Sequence, residues 1–187
     1  MAYQHIPMRH TGVRFMLDAN AINARQGNAD LNQLELWHDN DVVTLLMPTE
    51  AYQEAAAGND TRRSAKVSQR IAGNSGIITE DQRNLRAKIE EILFPGGAKD
   101  QGQINDAEIV YEALAWSHIL VTTDGGSKRQ PRGILGSREE LAGLGIRVMR
   151  PQEAVEYARV KVRERDERET RVCQALGVPL PEWLGRD

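Results

Sequence analysis

Four short apolar runs, each of strand length, constrain this chain more than any other feature: "VRFML" (13–17), "VVTLLM" (42–47), "HILVTT" (118–123) and "IRVM" (146–149). They are β-branched or continuously apolar rather than alternating, and strands of that kind are covered on both faces. Helical patterns lie between them. "TEAYQEAAAG" begins at Thr49, a favoured N-cap type, and stops at Gly58. In "TEDQRNLRAKIEEILFPGG", Thr79 and Gln82 have capping-box spacing, and Leu85, Ile89, Ile92 and Leu93 form one apolar face before Pro95, Gly96 and Gly97 end the helix. "NDAEIVYEALAWS" carries Ile109, Ala113 and Trp116 on one side, with Val110 and Leu114 beside them. Strands alternating with helices predict an α/β fold, a three-layer α/β/α sandwich around a mostly parallel sheet.

At 187 residues the chain is long enough for one sizeable core with appendages. No apolar run approaches the roughly 20 residues that span a bilayer, so no membrane association is expected. "MAYQHIPMRHTG" lacks the apolar centre of a signal peptide. Cys173 is the only cysteine, which excludes a disulfide framework and fits a reducing, cytoplasmic setting. The net charge of -3 gives no global attraction to nucleic acid, so polyanion binding requires a local basic patch. Residues 58–78 and 96–104 read as polar insertions, the latter as a loop. "ARVKVRERDERETRVCQAL" reads as a charged helix supported by Glu164–Arg168 and Glu167–Arg171 pairs, docked through Val162, Val172 and Leu176. The expected organisation is one domain over 13–155 and a charged C-terminal helix and tail over 156–187 as its appendage.

The acids then fall into a pattern. Asp18 ends the first strand, Glu50 and Glu54 lie in the helix after the second, Asp106 opens the helix before the third strand, and Asp124 ends that strand. In a parallel sheet all strand C-termini share one edge with the N-termini of the helices that follow, so Asp18, Asp124 and the Glu50/Glu54 region converge there. Asp106 needs its loop to join them. Singly, each acid has an ordinary explanation as a turn residue, a cap or a solvated side chain. For Asp106, Asn105 and Glu108 make a better capping box and free it from that role. Several carboxylates crowded together raise one another's pKa unless a cation neutralises them. Mg²⁺ and Mn²⁺ prefer oxygen ligands and support phosphodiester hydrolysis by activated water.

The stretches "FMLDANAI", "LLMPTEAYQEA", "NDAEIVYEALAWSHILVTTDGG" and "GIRVMRPQEAV" resemble the PIN domain, the nuclease fold of many prokaryotic toxin ribonucleases. The third stretch is the most specific: an Asp beginning a helical run, Ile and Ala at fixed steps after it, and a strand ending Thr-x-Asp. The resemblance implies a ribonuclease in which Asp18, Glu54, Asp106 and Asp124 hold Mg²⁺ or Mn²⁺, with Glu50 as the alternative to Glu54 and with Asn20 and Thr122 as polar support. It departs from the family after Asp124, where "GGSKRQ" replaces an acid-containing stretch. Family membership also raises an antitoxin or other protein partner, while the tail with Trp183 and Leu184 is available for a homodimer or partner contact.

Arg62, Lys66 and Arg70, with Arg63 alongside, make a basic stripe if "DTRRSAKVSQR" is helical, and Lys128, Arg129 and Arg132 follow Asp124. These are the sequence's candidates for gripping RNA phosphates, against the plainer reading of solvated faces. His5, His10, His38 and His118 lack zinc-ligand spacing, and Cys173 reads as a packing thiol. Two other functions compete with the nuclease. A haloacid-dehalogenase-type phosphohydrolase also ends its first strand in Asp but usually needs a second Asp two residues on, where this chain has Asn20. A PIN-like module that binds RNA or protein without cutting is the other.

Overall fold

The computed structural model describes residues 6–21, 27–56, 79–126 and 132–187; for 52 and 54–56 it describes only the helical backbone. The chain runs β1 (Arg14–Leu17), a 3-10 turn (Ala19–Ala21), α1 (Ala29–Asp39), β2 (Thr44–Leu46), α2 (Thr49–Ala56), α3 (Glu80–Leu93), α4 (Gln101–Trp116), β3 (Ile119–Val121), α5 (Gly133–Gly136), α6 (Arg138–Ala142), β4 (Arg147–Met149) and α7 (Pro151–Leu176). All four strands pair in parallel, in the order β2-β1-β3-β4. Phe15, Met16 and Leu17 are consecutive and all buried, as are Leu120 and Val121, so both sheet faces are covered. The expected α/β sandwich is the architecture observed.

The strand order dictates which helix goes where. β1 to β2 steps one way across the sheet, and β2 to β3 steps back past β1. Right-handed crossovers in opposite directions place their helices on opposite faces. The packing agrees: α1 lies against β2 and α7, whereas α4 lies against β1, β3, α2 and α3. α7 enters the α1 layer through Tyr157, whose ring meets Phe15 edge to face at 6.4 Å between centroids.

Several local expectations hold and others need correction. α3 begins with the expected capping box, Thr79 and Gln82 each accepting the other's backbone N–H. α4, however, begins at Gln101 under an Asp100 N-cap. Residues 101–104 are therefore helical rather than loop, Asn105 is no cap, and Asp106 sits on the second turn instead of opening the helix. Gly102 does not prevent this because the Asp100 cap satisfies an end N–H. Trp116 is 42% exposed and does not share the buried face of Ile109 and Ala113. The helix α1 was not expected; Asn28 caps it by accepting from Asp30 and Leu31 N–H groups, and Leu31, Leu34 and Trp37 are buried.

The C-terminal helix also docks differently from expectation. Its buried stripe is Val155, Ala158, Val162, Arg165, Glu169 and Cys173, while Leu176 is half exposed. Glu164 pairs back with Lys161 rather than forward with Arg168. Arg165, though charged, is fully buried because it is saturated with partners. It donates to the Arg9 carbonyl at 2.6 Å and to Asp166, meets Asp187 at 3.0 Å, and lies 4.6 Å from the Trp183 ring centroid. Asp187 also pairs with Arg9. The tail is thus folded back on its own chain, and the half-buried Trp183 is engaged there by Arg165. Removing one partner of a buried ion pair typically costs about 3–5 kcal/mol. Arg165→Ala is accordingly expected to lower stability by about that amount and to expose residues 177–187 to proteolysis, read by thermal melting and limited trypsin digestion.

Candidate metal and nuclease site

Open α/β sheets bind ligands where the strand order reverses, outside the strand C-termini. Here that point lies between β1 and β3. Asp18 follows β1 directly, and its N–H continues the ladder to the Val121 carbonyl at 3.0 Å. Thr122 follows β3, and its N–H bonds to the Met149 carbonyl of β4. With its backbone held by β4, Thr122 is fully buried and turns its hydroxyl toward β1. That hydroxyl donates to Asp18 Oδ2 at 2.6 Å and accepts from the Asp124 N–H at 2.9 Å. Asn20, held in the 3-10 turn, donates to the same Asp18 oxygen at 3.4 Å.

Asp18 is only 2% exposed, and its carboxyl is held above the ordinary value. Burial is the largest cause. The Thr122 hydroxyl and the Ala19 and Asn20 N–H groups oppose it, and the charge of Asp124 adds to it. Asp124 is half-buried, and both its oxygens are in use: Oδ1 accepts from Gly126 N–H at 3.2 Å and Oδ2 from Ile134 N–H at 2.9 Å. The carboxylate therefore gathers the chain on both sides of residues 127–131. Gly133 makes room for it with φ +57°; a Cβ there would stand 2.4 Å from Gly126 N and 2.8 Å from Asp124 Oδ2.

The remaining predicted residues divide. Asp106 lies partly buried on α4. Glu54 is on α2, but its side chain lies outside the described residues, as do Arg62, Arg63, Lys66, Arg70, Lys128 and Arg129. Arg132 is described and pairs with Glu140 and the Gly136 carbonyl. Glu50, the alternative to Glu54, turns toward a residue that sequence reasoning passed over, Glu112 of α4.

Glu112 is buried among Ile109, Val110, Ala113 and Leu114. Its Oε2 accepts the Thr49 N–H at 3.2 Å. α2 is thus capped from α4, and Thr49 is the first helical residue rather than the cap. The Glu112 carboxyl is pushed up to about 7, by burial first and by the neighbouring Glu50 second, against the pull of the Thr49 N–H and Arg86. Among the described residues, Glu112 Oε1 and Glu50 Oε2 are buried without a hydrogen-bond partner. The available signal was an acid within the apolar run "IVYEALAW". Arg86, which faces this region, pairs with Glu108 and lies 5.1 Å from the Tyr111 ring centroid.

These donors suit a hard divalent cation in kind: all are oxygens, and the buried Asp18 carboxylate beside Asp124 carries an electrostatic cost that a cation relieves. Among the described residues, no three His, Cys, Asp or Glu side chains stand together as a metal-binding group. The structure joins Asp18 to Asp124 through Thr122, and Glu50 to Glu112.

No family model matches the chain, and no curated protein matches it. Among solved structures it is similar to VapBC2 from Rickettsia felis bound to a DNA fragment from their promoter, at 18% identity over 74% of this chain and 98% of that one, with a TM-score of 0.47. The parallel four-stranded sheet agrees with the α/β class that the PIN-domain resemblance implies. No helix among the described residues is long and apolar enough to cross a membrane.

Two outcomes are expected. Gly133→Ala should lower stability by about 1–3 kcal/mol, because a strained φ and a backbone clash combine there; thermal melting measures it. For pH, a Glu with an ordinary value of 4.5 raised to about 7 makes the folded state bind more protons than the unfolded across that interval. Stability therefore falls as pH rises from about 4.5 to 7. Glu112→Gln keeps an acceptor for Thr49 and should flatten that slope, raising stability at pH 8 by on the order of 2 kcal/mol. Urea unfolding at pH 5 and pH 8 compares the two.

Proposed function

We propose that this chain is a Mg²⁺- or Mn²⁺-dependent ribonuclease hydrolysing phosphodiester bonds of RNA, with its centre at the switch point between β1 and β3. The observation that supports it most is the linkage of Asp18 and Asp124 through one buried Thr122 hydroxyl, at the sheet edge where α/β folds bind ligands. In this reading Asp18, Asp124, Asp106 and Glu54 hold the cation, with Glu50 as the alternative to Glu54. A bound cation of this kind supplies water activation and neutralises phosphate charge.

The chain's own residues do the rest. Asn20 and Thr122 share Asp18 Oδ2 as their acceptor and so orient that carboxylate toward the edge. Thr122 also holds the Asp124 backbone, so the two carboxylates move as a unit. Burial of Asp18 keeps bulk water from screening it, which strengthens its attraction for a dication. A protein partner of the antitoxin kind belongs to this reading, as the PIN-domain resemblance implies.

Cleavage of single-stranded RNA is expected with Mn²⁺ and none with EDTA. Asp18→Asn and Asp124→Asn together should reduce the rate at least about a hundredfold, given that general and metal-assisted catalysis contribute that much. Cleavage surviving both the chelator and the double substitution overturns the assignment. Thr122→Val, which removes the shared hydroxyl while keeping shape, should weaken Mn²⁺ affinity by about tenfold, measured by calorimetry.

A further inference from the structure

The opposite edge of the sheet has a different character. A cavity of about 480 Å³ opens at the N-terminal ends of β1, β3 and β4, lined among others by Arg14, His118, Arg147, Tyr157, Lys161 and Glu164. A second cavity of about 600 Å³ shares Gly145 and Arg147 with it and continues around β4, past Arg138. The two form one groove along the edge and around the outer strand.

Pairing register lines up the cations. Arg14 is the first residue of β1, His118 immediately precedes β3, and Arg147 is the first residue of β4. The Arg147 N–H bonds to the His118 carbonyl at 2.9 Å, so neighbouring backbones are in contact. β1 and β4 lie on either side of β3. At about 4.8 Å per strand spacing, the Arg14 and Arg147 backbones stand about 10 Å apart, with Arg14 level with His118 and Arg147 level with Ile119, one residue on. The guanidinium of Arg147 lies 5.0 Å and the ammonium of Lys161 5.7 Å from the Tyr157 ring centroid, so one aromatic ring holds two like charges side by side. The groove also holds two carboxylates, Glu164, which pairs with Lys161 at 2.7 Å, and Glu153, which pairs with Arg138 at 3.2 Å. Among the described residues, neither Arg14 nor Arg147 is in a salt bridge. Arg14, Arg138, Arg147 and Lys161 against Glu153 and Glu164, on a chain of net charge -3, reverse the overall sign locally.

We infer that this groove binds the phosphodiester backbone of a single-stranded RNA, remote from the acidic edge, with Arg14 and Arg147 each taking a phosphate. Cations spread along a continuous groove fit a linear polyanion, which offers a phosphate at each step along its length. Planar, multidentate guanidiniums are suited to phosphate oxygens. The inference takes its polymer, RNA, from the proposed activity, but its contacts are independent of the acids.

Fluorescence anisotropy of a labelled single-stranded RNA, titrated in EDTA between about 50 and 200 mM salt, tests it. Wild type should bind with an affinity that falls with salt. Arg14→Ala with Arg147→Ala should weaken low-salt binding by about tenfold and reduce the slope of log affinity against log salt by about 1.4, at about 0.7 per phosphate on a single strand. Arg159→Ala, on α7 outside this groove, should leave both unchanged. Thermal melting verifies that the variants fold. Absent wild-type binding, or an affinity and slope unmoved in the double variant, overturns the inference. Binding of labelled polyaspartate tighter than that of the RNA in the same titration also overturns it, since the occupant would then be an acidic protein segment. Groove-dependent binding without Mn²⁺-dependent cleavage leaves the groove standing and removes the nuclease; cleavage with a binding slope indifferent to Arg14 and Arg147 does the reverse.

Discussion

The pairing of β1 with β3 is the constraint on which the rest of this structure depends. It forces the strand order to reverse beside β1, and the reversal sends α1 and α4 to opposite faces. Both neighbours of β1 are thereby covered, which is why its residues can be continuously apolar up to Leu17. It also leaves Asp18 at the mouth of the one crevice that such a reversal creates. An acid there is buried by its position in the sheet and must be supported. Thr122 supplies the support because its own N–H is already committed to β4, leaving the hydroxyl free to turn the other way.

The second acid pair follows from the same crossover. α2 begins directly after β2, so its first N–H groups need acceptors at this edge. Glu112 reaches Thr49 from α4, and a carboxylate at a helix N-terminus is favoured by the macrodipole. That favourable term does not prevail, because Glu50 stands close by and burial penalises a second charge. The cap thus comes with a shared electrostatic strain between two helices, and protonation relieves it.

How far the sequence could be read depended on how local the cause was. The strands were legible because burial on both faces leaves unbroken apolar runs, and α3 because its capping box lies within four residues. Asp18 and Asp124 could be placed at one edge because parallel topology fixes where strand ends go, whereas Asn20 and Thr122 enter only as polar support implied by the PIN-domain resemblance. The start of α4 differs from expectation because the Asn105–Glu108 pattern imitates a capping box, whereas the N-cap is Asp100, which accepts the Gln103 N–H. Glu112 is hard to read from sequence because its partners, Thr49 and Glu50, are distant, and the apolar run around it is its only local mark. Arg165 was hidden for the same reason: a charge run looks solvated until Arg9 and Asp187 arrive from the two ends of the chain. Of the apolar docking residues expected, Val162 is buried, whereas a saturated guanidinium rather than Val172 or Leu176 continues the buried stripe.

The two sheet edges carry opposite charge, and helix polarity explains part of this. Parallel topology points helix N-termini toward the edge with Asp18 and Asp124, and helix C-termini toward the edge with Arg14, His118 and Arg147. Macrodipoles favour acids at the first and cations at the second, each by about 0.3–1 kcal/mol where exposed. That suffices to make single charges comfortable. It does not account for Arg147 and Lys161 converging on one ring, where their mutual repulsion acts against any gain. On the readings proposed above, a polyanion in the groove would relieve that repulsion, as a cation would relieve the repulsion between Asp18 and Asp124. Each edge thus carries an excess of one sign, and the helix ends set which sign it is.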